Sequence, residues 1–373
     1  MNSVVLGLGF GDEGKGRVVD ALCAGMIKQS YEDRLSDLDK PTVVRFSGGG
    51  QAGHTVVLED GTKHVFSNLG SGTLRGCPTY WSEHCPFDPS ALLNELTELG
   101  RGMPLLYVNG KCPVVTPYDI EAQRSCATNR THGTVGCGIG TTIQREEDHH
   151  HLLVEDLAHP MVVQIKLNLI AQYYGAELDH SGFSDACLLA QECYQVIYDR
   201  PNTLEFIWEG SQGLLLDQNI GFFPHVTRSN TGSANIPESV RRTAKIYAVT
   251  RAYQTRHGAG PMTNEARKEN SYIMEAKDET NQYGNYQGIF RRSLLDLDLL
   301  EYGMTKEPML RLVRNRDVLV ITCLDHMGTP AYTVGGVVKV CGSLGTMAET
   351  IRGKLGFNSV QFSMSPSGPL HES

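Results

Sequence analysis

Short apolar runs bounded by glycine and polar clusters alternate with helical patterns along these 373 residues. Val4-Val5-Leu6 reads as a buried strand, and Lys15 to about Met26 as the helix after it. Thr42-Val43-Val44-Arg45-Phe46 predicts a strand that runs into Ser47-Gly48-Gly49-Gly50. Asp88-Pro89 opens a helix as cap and first residue, with Leu92, Leu93, Leu96 and Leu99 on one face. Leu204 to Trp208 predicts a strand ending at Glu209-Gly210, and Ile246 to Tyr253 and Val318 to Leu324 predict two more. Met347, Ile351 and Leu355 place a helix near the end. Strands separated by helices argue for an α/β fold, a central and mainly parallel sheet flanked by helices. Ligand loops in such sheets gather at the carboxyl ends of strands, and each polar motif is expected to follow a strand. No internal repeat or low-complexity linker divides the chain.

The first such loop, Gly9-Phe10-Gly11-Asp12-Glu13-Gly14-Lys15-Gly16, lies between the first strand and the first helix. A glycine-rich turn at a helix N-terminus presents backbone N–H groups to an anion, so phosphate is the first ligand to consider. Asp12 beside a phosphate calls for a cation or a proton to handle. The stretch satisfies G-x-x-x-x-G-K, but Gly16 stands where a P-loop has Ser or Thr. It also satisfies G-x-G-x-x-G, the dinucleotide fingerprint, with Glu32 and Asp33 available for a ribose. A tight turn without a ligand leaves Asp12 and Lys15 unexplained.

Composition narrows the classes. The length allows two or three domains or one large one, and 40% apolar residues allow a sizeable core. A net charge of −9 and no run of four basic residues disfavour nucleic-acid binding. No apolar stretch approaches a membrane span and no signal segment opens the chain, so a soluble, cytoplasmic protein is expected. Ten cysteines without a C-x-x-C pair read as reduced thiols. Cys77, His84 and Cys85 fit no zinc spacing, and His149-His150-His151 after Glu146-Glu147-Asp148 reads as a solvated loop.

Further polar loops recur. Ser47 to Thr55 carries Gln51, Gly53 and His54, a histidine able to donate a proton to a phosphoryl group. Gly133 to Gly140 includes Thr134 and Val135, with N–H groups suited to a monophosphate. Trp208-Glu209-Gly210-Ser211-Gln212-Gly213 continues to Asp217 and to Pro224 through Thr231, groups for reading a base and a phosphate. Arg256, His257, Arg291 and Arg292 add positive or ionisable groups, and Asp325 follows a strand where it can accept from a guanine edge. Three glycine-rich loops suggest a nucleoside triphosphate and a second phosphorylated substrate.

In order, GFGDEGKG, GGGQAGHTVV, GTVGCGIG, WEGSQGLLLD, PHVTRSNT, TRHGAGP and Ser367-Gly368-Pro369 resemble the adenylosuccinate synthetase family. The chain looks more like the shorter archaeal and phage members than the longer bacterial ones. The resemblance implies one P-loop-NTPase-like domain over residues 1–373 with loop insertions, and a ligase joining L-aspartate to C6 of a 6-oxopurine nucleotide. Asp12 looks like the base that takes the N1 proton, and also a magnesium ligand with the Gly53 carbonyl. His54 looks like the acid at the γ-phosphoryl group, and Gln212 matches the family glutamine near the purine. Gly11, Glu13, Gly14, Lys15, Gly16, Gly53, His54, Thr55, Asp325 and Gly368 are implied at the triphosphate, GTP or ATP. Asp12, Gln51, Thr134, Val135, Gln212, Thr227 and His257 are implied at the purine monophosphate. The family is homodimeric, and Arg145 is the nearest match to the arginine that a partner chain supplies to that phosphate.

Departures from the family pattern bear on the substrate. The aspartate loop reads Gln287-Gly288-Ile289-Phe290-Arg291-Arg292-Ser293-Leu294, with Ile289 where an arginine is usual, leaving Arg291 and Arg292 for aspartate. Cys323 replaces a lysine before Asp325, His257 a small apolar residue beside the ribose, and Gln51 an asparagine. A phage branch of the family uses dGMP on the way to diaminopurine DNA, in much of which serine replaces the aspartate kept here as Asp12. Bulky His257 filling the space of a missing 2′-hydroxyl favours dGMP; IMP is the alternative. From other classes, an NAD-dependent oxidoreductase leaves Lys15 and His54 unexplained, and a non-catalytic nucleotide binder needs neither Asp12 nor His54.

Overall fold

A computed structural model of the protein describes residues 2–32, 40–100, 102, 104–126, 135–203, 205–274 and 288–372. Thr134 and Gln287 lie outside the described residues. The main sheet runs, in spatial order, His371–Glu372, Ser359–Phe362, Val318–Thr322, Lys245–Arg251, Ser3–Gly7, Phe206–Gly213, Thr42–Arg45, Thr79–Trp81, Leu106–Asn109 and Gln195–Ile197. All neighbours pair in parallel except the terminal hairpin of Ser359–Phe362 with His371–Glu372.

The central strands are buried on both faces, which explains their unbroken apolar runs. Alternation sends Val5 and Val43 towards Val18, Val19 and Cys23 of the helix Lys15–Glu32. Val4, Leu6 and Val44 face the other way, with Trp208 and Ile246. A second sheet of four strands joins Tyr253–His257, Phe290–Asp296, Ala331–Val334 and Val337–Val340. A ribbon pairs His54–Val57 with Lys63–Phe66. The helix Pro89–Leu99 is capped by the Asp88 carboxylate, which accepts from the Ser90 and Ala91 N–H groups.

Several boundaries differ from the sequence expectation. The run 246–253 is two strands: Lys245–Arg251 stays in the main sheet, and Tyr253–His257 pairs antiparallel with Phe290–Asp296. Between them the Ala252 N–H bonds to the Thr322 carbonyl at 2.9 Å, so the chain changes sheets without a glycine or proline turn. The strand at 206 runs on through Glu209 to Gly213, and the strand at 318 stops at Thr322, where Cys323 turns left-handed (φ 57°). Among the described residues no strand lies between the helices Pro117–Ser125 and Ile139–Glu147, the stretch in which the third glycine motif falls.

Five neighbouring strands, Val318–Thr322, Lys245–Arg251, Ser3–Gly7, Phe206–Gly213 and Thr42–Arg45, therefore end side by side. Their carboxyl ends carry the first two glycine loops, the Glu209–Gly213 turn and Asp325, which the sequence scatters over more than 300 residues.

Candidate active site

The loop after Ser3–Gly7 is shaped by left-handed residues at Gly11 (φ 88°), Asp12 (φ 60°) and Gly14 (φ 80°). Its concave side holds a protein carboxylate. Glu13 accepts from the Gly9 N–H at 2.8 Å, the Gly11 N–H at 3.1 Å and Lys15 Nζ at 2.7 Å. Glu13, implied by resemblance at the triphosphate, is thus turned inwards and buried with Lys15. The loop is an anion nest in which Glu13 occupies N–H donors of the kind a phosphate uses. Gly213 lets the loop approach: a Cβ there would lie 2.2 Å from the Gly9 carbonyl oxygen.

Asp12 is one of few non-glycine residues in a left-handed conformation, which costs about 1–2 kcal/mol. Arg251 holds it there. Its Nε donates to the Asp12 carbonyl oxygen and its Nη2 to Oδ2 at 2.8 Å. The Asp12 side chain keeps 31% of its exposure, so its carboxylate is partly open to solvent while its backbone is clamped.

His54 begins the ribbon strand and is buried. Its Nδ1 lies 2.6 Å from Glu209 Oε1 and 3.3 Å from Arg45 Nη1; its Nε2 lies 3.4 Å from the Ser211 carbonyl oxygen. Glu209 also accepts from the Ser71 N–H at 3.2 Å and from the Ser71 hydroxyl, with Arg45 at 3.8 Å. Burial pushes the His54 imidazolium down first, and Arg45 and Lys15 add to it against the pull of Glu209. Burial alone would raise Glu209, yet His54, Arg45 and Ser71 together hold it well below the ordinary carboxylate range. His54 therefore donates Nδ1–H to a carboxylate, and its Nε2 donates to a phosphoryl oxygen only when the imidazole carries a second proton.

The second loop and the Gln212 turn are stitched together. Ser211 Oγ donates to the Ser47 carbonyl, the Ser211 N–H donates to Ser47 Oγ at 3.3 Å, and the Gly48 N–H donates to Ser229 Oγ at 3.0 Å. A Cβ on Gly48 would sit 3.0 Å from Gln212 Oε1, so glycine there makes room for that amide. The amide oxygens of Gln212 and Gln51 are buried without a hydrogen-bond partner among the described residues. Such orphaned acceptors are costly unless a ligand supplies donors. Gly53 is exposed, Thr55 and Thr227 are half-buried, and His257 ends its strand against the Phe290 ring at 4.8 Å.

Other expected residues lie further out. Arg145 is fully buried and spends its donors on Asp119 (2.9 Å), Glu146 (2.7 Å) and the carbonyls of Val114 (2.8 Å) and His150. That saturated fork leaves no donor for a nucleotide, so its expected place at the monophosphate is corrected to a structural one. Val135 is half-buried in the third loop. Arg291 meets Glu265 at 2.8 Å and the Gly260 carbonyl at 2.9 Å, while its Nε is buried without a partner. Arg292 reaches the Met274 carbonyl at 3.5 Å. Burial first, then Arg291, draw Arg256 down to about 10; three carbonyls accept from its guanidinium. Asp325 sits 3.7 Å from His326 Nε2. Gly368 (φ 84°) lies in a segment whose Ser365, Ser367 and Pro369 carbonyls, each at 3.2 Å, accept from Arg17 on the first helix. Among the described residues no group of three or more His, Cys, Asp or Glu could hold a metal.

Sequence reading passed over Glu209, Arg45, Ser71 and Arg251. A signal existed for three of them: charged residues at the ends of apolar parallel strands are rarely fully buried without a partner. Ser71 carried none.

The adenylosuccinate synthetase family model matches residues 4–329. The adenylosuccinate synthetase of Thermoplasma volcanium is 31% identical over 370 residues, covering 91% of this chain and 78% of that one. That of Coxiella burnetii is 31% identical over 322 residues, covering 78% and 70%. Among solved structures, the fully ligated adenylosuccinate synthetase of Plasmodium falciparum superposes with a TM-score of 0.80 at 17% identity, over 98% of this chain and 97% of that one. The succinoaminodeoxyadenylate synthetase of cyanophage S-2L, bound to dGMP and dATP, superposes with a TM-score of 0.66 at 18% identity, over 100% and 95%.

Proposed function

The chain belongs to the adenylosuccinate synthetase family, ligases that form a C–N bond at the expense of a nucleoside triphosphate, and within it we propose that the acceptor is dGMP. The observation that carries this reading is the pair of buried, unpartnered amide oxygens on Gln212 and Gln51. Guanine brings a 2-amino donor that hypoxanthine lacks, and a buried acceptor left unmet costs about 1–3 kcal/mol. His257, where the family has a small apolar residue, and the dGMP-bound cyanophage neighbour support the same reading. IMP is the second reading, favoured by the retained Asp12 and by the relatives named for adenylosuccinate.

In this reading Asp12 takes the N1 proton, and O6 attacks the γ-phosphorus as the nucleoside diphosphate leaves. Protonated His54 donates from Nε2 to the phosphoryl group in flight, its ring fixed and its charge matched by Glu209. Lys15, through the ammonium protons that its bond to Glu13 leaves over, and the rest of the first loop hold the phosphates. The aspartate amine then displaces phosphate from C6, its carboxylates met by Arg291 and Arg292. GTP or ATP serves as donor. Asp12 and the exposed Gly53 carbonyl are hard oxygen donors of the kind magnesium takes together with phosphate oxygens and water, so they fit an ion that arrives with the triphosphate. Bound there, it would neutralise phosphate charge.

Product mass tests the proposal. Purified protein with aspartate, magnesium and GTP or ATP is offered dGMP and IMP side by side. An aspartate adduct of dGMP is expected; an adduct of IMP alone would overturn dGMP in favour of IMP.

A further inference from the structure

Resting on that ligase reading, we propose that Arg251 positions the base Asp12, and that Tyr253 and His326 make this positioning depend on the base of the bound triphosphate. A continuous line of contacts carries the inference. Arg251 Nη2 donates to Asp12 Oδ2 at 2.8 Å, and Nη1 to the Tyr253 hydroxyl at 3.1 Å. The Tyr253 oxygen lies 2.8 Å from His326 Nδ1, and His326 Nε2 lies 3.7 Å from Asp325 Oδ2. Asp12 is where the acceptor reacts, and Asp325 is the carboxylate placed to read the donor base.

The Tyr253 hydroxyl accepts from Arg251 and shares a hydrogen bond with His326 Nδ1, whose direction follows the imidazole tautomer. On its other side the ring faces the Asp325 carboxylate through Nε2. A base held by Asp325 changes the charge that faces Nε2, so donor binding changes the tautomer and what His326 offers Tyr253.

The parts are held tightly enough to transmit that change. Arg251 and Tyr253 are 7% and 2% exposed. The guanidinium lies 5.7 Å from the Tyr253 ring centre and 5.9 Å from that of Phe290. The Tyr253 and His326 rings stack at 5.9 Å. His326 sits on the short turn Leu324–His326, set by the left-handed Cys323 that ends Val318–Thr322. Asp12, itself left-handed, depends on Arg251 through both its carbonyl and its carboxylate.

The test is steady-state ligation with GTP and ATP at saturation, in wild type, Tyr253→Phe and His326→Phe. Both variants keep the ring and remove the polar link; His326 is partly exposed, which protects the second variant against misfolding. Wild type is expected to differ in kcat between the donors, not only in KM. Each variant should lose about tenfold in kcat with the preferred donor, the scale of a small misplacement of a reacting group, with its KM within about twofold. The kcat values for the two donors should converge. A donor ratio in kcat that both variants leave unchanged, or a wild type with equal kcat for both donors, overturns the inference. A wild type that makes no aspartate adduct overturns the ligase reading beneath it instead.

Discussion

Replacing Glu209 by glutamine separates orientation of His54 from its mere presence. Glu209 is fully buried and receives the His54 imidazole, the Ser71 hydroxyl and the Ser71 N–H, with Arg45 beside it. Glutamine keeps the shape but brings an NH2 group to a site where every neighbour is a donor. The mismatch costs about 1–3 kcal/mol. Loss of the charge also strips buried Arg45 of its counter-ion, an effect of about 3–5 kcal/mol when a buried pair is broken. The two overlap, so a destabilisation of about 3–5 kcal/mol is expected, which a domain of ordinary stability survives at 25 °C. The catalytic effect is separate. Without the carboxylate at Nδ1 the imidazolium loses its counter-charge, so the ring is less able to present at Nε2 the proton that the phosphoryl group takes up. General acid–base contributions run to about 10²–10⁴-fold, so kcat should fall by that order, about 2.7–5.5 kcal/mol in the barrier. The assay is product formation against pH together with a thermal melt. KM for the nucleotides should move little, while the acid limb of kcat shifts. A variant that melts early yet keeps kcat within twofold at 25 °C, with an unshifted pH profile, would refute the argument that Glu209 sets the working state of His54.

Four further outcomes follow from the same geometry. Asp12→Ala should abolish ligation and leave most nucleotide binding, read by calorimetry; retained turnover would remove Asp12 as the base. Arg145→Met should lower the melting temperature without raising KM for the monophosphate in the folded fraction, because its donors are all internal. Gly213→Ala should unseat the first loop, since its Cβ would meet backbone at 2.2 Å; overpacking of this kind costs about 1–3 kcal/mol, and weakened triphosphate affinity measures it. Acid should weaken the fold in two stages. His54 is depressed below its ordinary 6.5, so its contribution is present above that value and lost as pH falls through the lower folded one. Glu209 is depressed from 4.5, so its contribution is lost only as pH falls below that. Melts of wild type and His54→Asn between pH 8 and 3 should diverge on the acid side of neutrality.

What the sequence determined was local. Val4-Val5-Leu6 and Thr42 to Phe46 declared buried strands because strands covered on both faces need no alternation. Asp88-Pro89 declared its helix because the cap bond lies within three residues. The glycines of the first loop declared a tight turn between strand and helix, and the ordered motifs declared the family. What only the tertiary structure decided was which charges meet. Glu13 reads as one more phosphate-loop residue until the fold turns it into the loop's own anion. Arg145 reads as a cation near a phosphate until Asp119 and Glu146 are found around it. Arg45 and Glu209 lie far apart along the chain, and only the parallel register of their two strands places both beside His54. The break at Ala252 is equally silent in the sequence, because no glycine or proline marks it while the hydrogen-bond partner changes from one sheet to the other. Short-range patterns fix elements because their physics is complete within a few residues; buried ion pairs and sheet exchange depend on partners that only the assembled fold brings near.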